Sequence, residues 1–249
     1  MKRMIQLPRT GVGRYLSSVG SHELAVLLAI IGVAAGIWAF GAIADEVMDG
    51  DTQSFDRAVL LAMRRADNLA PIGPSALQEA ARDITGLGGA AVLSLLTLTV
   101  SGFLTLDGKR RMALFVLGSV ASGMLVTGSL KATFNRPRPD LVPHATRVST
   151  PSFPSGHAMM AAVTYLTLGA LLARSQERKR LKAFLMLLAA GLTFMIGLSR
   201  VYLGVHWPTD VFAGWTAGGS WALLCWFVAR RLQSRRALEP EAQHSPSPD

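Results

Sequence analysis

Cysteine, charge and aromatic residues are all scarce in this chain, and each scarcity excludes a class. The single Cys225 cannot form an internal disulfide, so the chain is not a cystine-stapled secreted domain. With 50% apolar and only 16% charged residues, it is not a disordered chain either. Aromatic and charged residues are sparse and uncharged runs are long, so the formal net charge of +9 does not indicate a nucleic-acid surface. Cys clusters, Glu-rich sets and spaced acids of metal-ligand pattern are also missing, so neither a metal nor a cofactor is expected.

Long apolar runs are what the sequence has instead. Leu24 to Ala44, Gly86 to Leu106 and Met112 to Leu130 carry no charge, and Ser155 to Ala173, Ala183 to Ser199 and Val211 to Ala229 have similar length. A run of about 20 such residues crosses the hydrocarbon core as a helix, because lipid offers no partner for backbone donors and acceptors. The runs lack the alternation of barrel strands, so the fold class expected is all-α, an integral membrane bundle of six helices. Ala42-Ile43-Ala44 resembles a signal-peptidase site, but the run before it exceeds the usual signal core, which favours an uncleaved first span.

Six spans put both termini on one side, and charge provides an independent test. Sixteen of the 25 basic residues and six acids fall on the terminal side; nine basic residues and ten acids fall on the other, giving +10 and −1. The basic side is expected to be cytoplasmic, hence N-in and C-in. The expected organisation is a cytoplasmic tail over 1–22, a six-span domain over 23–230 and a second tail over 231–249. In the outward loop 45–85, Phe55 to Arg65 and Ser75 to Ile84 carry apolar residues at helical spacing. They are expected to be amphipathic helices at the outer interface that plug the bundle rather than gate substrate. The pairs Gly32/Gly36 and Gly214/Gly218 point to close helix packing and not to an oligomer.

Ionisable residues against apolar spans mark function by default. Lys131 and the run Arg136-Pro137-Arg138-Pro139 follow the third span, and the two prolines stiffen the arginine loop. Pro154-Ser155-Gly156-His157 precedes the fourth span, with Ser155 at a capping position and free N–H groups suited to an anion. Ser199-Arg200 and His206 to Asp210 lie between the fifth and sixth spans. If a helix starts at Pro208, Asp210 is placed to hold one imidazole nitrogen of His206 and free the other for attack. Two histidines, one carboxylate, three cations and a helix start make a phosphoryl-transfer inventory within 131–210.

These three motifs, in this order, resemble the type 2 phosphatidic acid phosphatases, a superfamily that includes bacterial acid phosphatases and vanadium haloperoxidases. Lys131, six residues, Arg138-Pro139 fits the first motif; Pro154 to His157 the second; Ser199-Arg200, five residues, His206, three residues, Asp210 the third. The resemblance is strong from Lys131 to about Ala229 and covers the first two spans only in outline. It implies His206 as nucleophile, Asp210 as its orienting partner and His157 as general acid and then base. It implies Lys131, Arg138, Arg200, Ser155 and the Gly156 amide as phosphate binders. It further implies a multi-pass bacterial cytoplasmic-membrane enzyme with an outward-facing site, whose partners are membrane lipids and a lipid phosphate or diphosphate substrate: undecaprenyl diphosphate, phosphatidylglycerophosphate, phosphatidic acid or a lipid A phosphate. A lipid-to-lipid phosphotransferase and, less favoured, a non-catalytic lipid-binding or transport bundle are the alternatives. Motif spacing selects Arg138 over Arg136, so Arg138→Ala is expected to lose far more activity than Arg136→Ala.

Overall fold

A computed structural model of the protein describes residues 21–143 and 150–234. Its elements are α1 (Ser21–Asp49), α2 (Gln53–Ala62), α3 (Ser75–Gly86), α4 (Ala90–Leu106), α5 (Arg110–Phe134) and α6 (Gly156–Ala161). A π-helical turn over Ala162–Leu166 continues α6 into α7 (Thr167–Arg174), and α8 (Lys179–Tyr202) and α9 (Pro208–Ser234) complete the order. Among the described residues there is no strand, only an isolated bridge between Arg64 and Pro71. The tails at 1–22 and 231–249 lie outside the described residues except where α1 and α9 run into them.

Among the described residues, five helical units are long and apolar enough to cross a membrane: α1, α5, α6 with α7, α8 and α9. Large apolar side chains stand exposed along them, among them Trp38, Leu125 and Leu187, as lipid-facing surfaces require. Of the expected span Gly86 to Leu106, the helix α4 covers the 17 residues from Ala90; it meets α3, the expected Ser75 helix, at a 47° bend, and supplies a sixth span only if the pair is one broken span. Three glycines fall at the break, Gly86, Gly88 and Gly89, where helical propensity is lowest.

Two further boundaries differ from the sequence expectation. α1 runs five residues past Ala44, because Ala44 and Val47 bury with Phe153 and Ala213, while Asp45 and Glu46 face outward on the same turn. The helix stops at Gly50, whose φ of 86° takes the left-handed turn. The first amphipathic segment ends at Ala62 rather than Arg65, where the chain turns back to the Arg64–Pro71 bridge.

The small-residue pairs do what their spacing suggests. A side chain at Gly36 would collide with Ser220, and one at Gly218 with the Met159 carbonyl and the Ala162 side chain. The first contact seats α1 on α9, and the second seats α9 on the α6 unit. At one end of the bundle the rings of Phe40, Phe134 and Phe153 meet at centroid distances of 5.0 to 6.0 Å, tying α1, α5 and the segment before α6 together. That end carries the charged motifs.

Candidate active site

The site is assembled from four helix ends. α5 ends in Lys131 and Phe134; Asn135, at φ 41° and ψ 36°, turns the chain out of the helix into the Arg136–Pro139 run. The Lys131 Nζ donates to the Pro151 carbonyl at 2.6 Å, and its stem lies over Gly156, where a Cβ would stand 3.2 Å from Lys131 Cε. Ser155 caps α6, its Oγ accepting from the Ala158 N–H, and its own N–H donates to the Asp210 carbonyl at 2.9 Å. One backbone bond thus joins the second motif to the third.

Pro208 opens α9, as its missing N–H favours. Asp210, one turn in, reaches back to accept the Trp207 N–H at 2.9 Å through Oδ2, and the same oxygen lies 3.3 Å from Nδ1 of His206. His206 is 1% exposed, and its Nε2 lies 3.1 Å from an Arg138 guanidinium nitrogen. A guanidinium only donates, so Nε2 accepts, and the ring proton sits on Nδ1 facing the Asp210 carboxylate. Burial holds the imidazole well below its usual value, and the positive charges of Arg138, Arg200 and Lys131 push it the same way. His206 is therefore neutral, with its lone pair on the nitrogen that faces the cations.

Those cations lie within electrostatic reach of one another. Arg138 also donates to the Val205 and Thr150 carbonyls, at 2.6 and 2.8 Å. Arg200, 3% exposed near the end of α8, donates to Thr85 Oγ1 at 3.1 Å, while its Nε is buried with no partner. A buried unpaired donor beside two other positive groups is a place for an anionic oxygen. His157, half-buried at the start of α6, lies within electrostatic reach of Arg200, His206, Arg138 and Lys131. All eight residues singled out by the motifs are thus brought to one end of the bundle.

Sequence reasoning missed the layer behind His206. Asp56, on α2, is fully buried and accepts from Arg136 at 2.8 Å, from Thr209 Oγ1 at 2.7 Å and from the Thr209 N–H at 3.0 Å. Arg136 meanwhile donates to the other Asp210 oxygen at 2.6 Å and lies over the Trp207 ring, 5.6 Å from its centroid. Arg136, which motif spacing ranks below Arg138 for activity, is bonded to the third-motif carboxylate. The outward loop, expected to plug the bundle, supplies Asp56 from α2 and Thr85 from α3 to this end of it. A signal was present: Asp56 shares the apolar face of α2 with Leu60, four residues on, where a charge needs a partner.

Known proteins resemble the chain over this same region. A family model described as PAP2 superfamily matches residues 112–234. Phosphatidylglycerophosphatase B of Bacillus subtilis is 32% identical over 160 residues, 64% of this chain and 76% of that protein. Lipid A 1-phosphatase of Rhizobium etli is 27% identical over 211 residues, 74% of this chain and 86% of that protein. A crystal structure of a transmembrane PAP2-type phosphatidylglycerolphosphate phosphatase from Bacillus subtilis aligns with a TM-score of 0.70 and 27% identity, covering 80% of this chain and 96% of that one.

Proposed function

The chain belongs to the PAP2 superfamily and is a lipid phosphatase of multi-pass membrane architecture; from that premise we propose that it cleaves lipid phosphate esters or diphosphates through a phospho-histidine at His206, on the outer face of a bacterial cytoplasmic membrane. The carrying observation is the bonding of the His206 ring, with Nδ1 toward Asp210 and Nε2 beside Arg138, next to Lys131 and Arg200.

Substrate oxygens take the place of Nε2 as partner of Arg138 and pair with Lys131, Arg200 and the Gly156 amide at the cap formed by Ser155. Nε2 attacks phosphorus, the bond to the leaving oxygen breaks, and His157 gives that oxygen its proton. The phosphorylated imidazole keeps its Nδ1 proton against Asp210, which offsets the positive charge. His157, now neutral, takes a proton from water, whose oxygen displaces phosphate from Nε2. The lipid tail stays beside the bundle while the headgroup enters at the helix ends. Undecaprenyl diphosphate, phosphatidylglycerophosphate, phosphatidic acid and lipid A phosphates all offer such a headgroup.

The test is phosphate release from that panel by detergent-purified protein in EDTA, beside His206→Ala. The expected result is release by the wild type and none by the variant. Turnover by His206→Ala, or an absolute need for added metal, overturns the mechanism.

A further inference from the structure

The Asp210 carboxylate has two oxygens with separate tasks. Oδ2 faces His206 and accepts the Trp207 N–H, whereas Oδ1 is held by Arg136. Rotation about the carboxylate's own torsion is soft, so one of these bonds alone would not fix its plane. Arg136 is itself held from the far side by Asp56, which comes from α2, about 80 residues away in sequence. Asp56 also accepts two bonds from Thr209, one of them from the backbone N–H in the first turn of α9. It therefore caps, from another helix, the helix that carries Asp210.

We propose that Asp56 and Arg136 are positioning residues for the reaction, a buried carboxylate–guanidinium–carboxylate clamp that aims Asp210 at Nδ1 of His206 and thereby aims Nε2 at the phosphorus. This inference rests on His206 being the nucleophile.

The clamp also sets the charge behind the ring. Two carboxylates around one guanidinium leave a net −1 on the Nδ1 side, opposite Lys131, Arg138 and Arg200, with His157 the remaining titratable group facing the ring. Without Asp56, Arg136 neutralises Asp210, and the imidazolium character that develops during attack loses its counter-charge. Without Arg136, the carboxylates repel and the aim is lost.

The experiment compares Asp56→Asn, Arg136→Met and Arg136→Lys with wild type in detergent. It follows steady-state kinetics, single turnover of a 32P-labelled lipid phosphate quenched in alkaline SDS, in which a phospho-histidine survives, and thermal unfolding. Misaim on the scale of an ångström costs about 10²-fold, so kcat and the rate of enzyme labelling should fall by about that factor in Asp56→Asn and Arg136→Met. KM should stay within a few-fold, because no phosphate contact is removed. Arg136→Lys, which keeps the charge but not the planar fork, should recover only part of the loss, about tenfold. The acid limb of kcat/KM should move to lower pH in Asp56→Asn, which deletes a negative charge near the ring, and to higher pH in Arg136→Met, which deletes a positive one. Should Arg136→Met fail to fold, Asp56→Asn and Arg136→Lys decide alone. Wild-type kcat in Asp56→Asn, a loss confined to KM, or no displacement of the acid limb overturns the clamp. These results are separable from failure of the nucleophile itself, which would show as labelling and turnover surviving in His206→Ala.

Discussion

At the scale of single residues, chemistry follows from which atoms can only give or only take a proton. Arg138 can only donate and the Asp210 carboxylate can only accept, and between them they leave His206 one tautomer. Arg138→Ala removes a donor aimed at developing charge, which commonly costs about 10²–10³ in kcat, and should leave the unfolding temperature nearly unchanged. Arg136→Ala is a different lesion, since it strands two buried carboxylates and should cost about 3–5 kcal/mol of stability along with activity. Phosphate release together with thermal unfolding separates the two; activity alone, on which motif spacing would rank them, does not. A second expectation concerns pH. Because burial and nearby cations hold folded His206 below the usual 6.5, the unfolded chain binds the extra proton first as pH falls. Stability therefore declines below about pH 6.5, and lowering the pH should destabilise wild type more than His206→Gln, as urea titrations at pH 7.5 and 5.5 would register. The motif residues were legible because each motif pairs a fixed donor or nucleophile with a fixed spacing. For Asp56 the apolar helix face signals that a partner is needed, but which partner it and Arg136 find is a contact across about 80 residues that no local spacing encodes.

At the scale of elements, the apolar runs gave the membrane helices, since length and lack of charge are properties of a segment by itself. What those properties do not contain is where a helix ends under tertiary packing: the α3–α4 break falls on glycines of the segment itself, whereas the extension of α1 to Asp49 arises from neighbours. The contact between α9 and the α6 unit shows how closely packing serves the site, because it lies along the same two helices that present His206, Asp210 and His157. Gly218 and Gly219 are adjacent on α9 but face different surroundings. A Cβ at Gly218 meets Met159 backbone, whereas one at Gly219 meets nothing within 4 Å. Gly218→Ala should therefore push α9 from α6, with an overpacking cost of about 1–3 kcal/mol and a large loss of kcat. Gly219→Ala should be neutral or up to about 1 kcal/mol stabilising, as alanine is in a helix. Detergent melts and turnover of the pair are the measurement, and equal behaviour would mean that the close approach is not what seats the motifs.

At the scale of the whole molecule, the net charge of +9 divides along the sequence: the tails and the loops expected on their side carry sixteen basic residues with six acids, and the other loops nine with ten. The side with Lys131, Arg138, Arg200 and His206 is the less basic one, although those residues form a cationic cluster, because eight of its ten acids lie between Asp45 and Asp83. Positive charge resists translocation far more than negative charge does, so the basic end should stay in the cytoplasm and the site should face outward. Asp140 and Arg178 are both exposed, the first in the segment after the Arg136–Pro139 run and the second in the turn before α8. Cys225 is buried in α9, so Cys225→Ser provides a quiet background for labelling. In intact cells, a membrane-impermeant maleimide should modify Asp140→Cys and leave Arg178→Cys untouched until the membrane is opened. Labelling of Arg178→Cys alone from outside would invert the bundle. The phosphate site would then face the cytoplasm, and only substrates presented in the inner leaflet would reach His206.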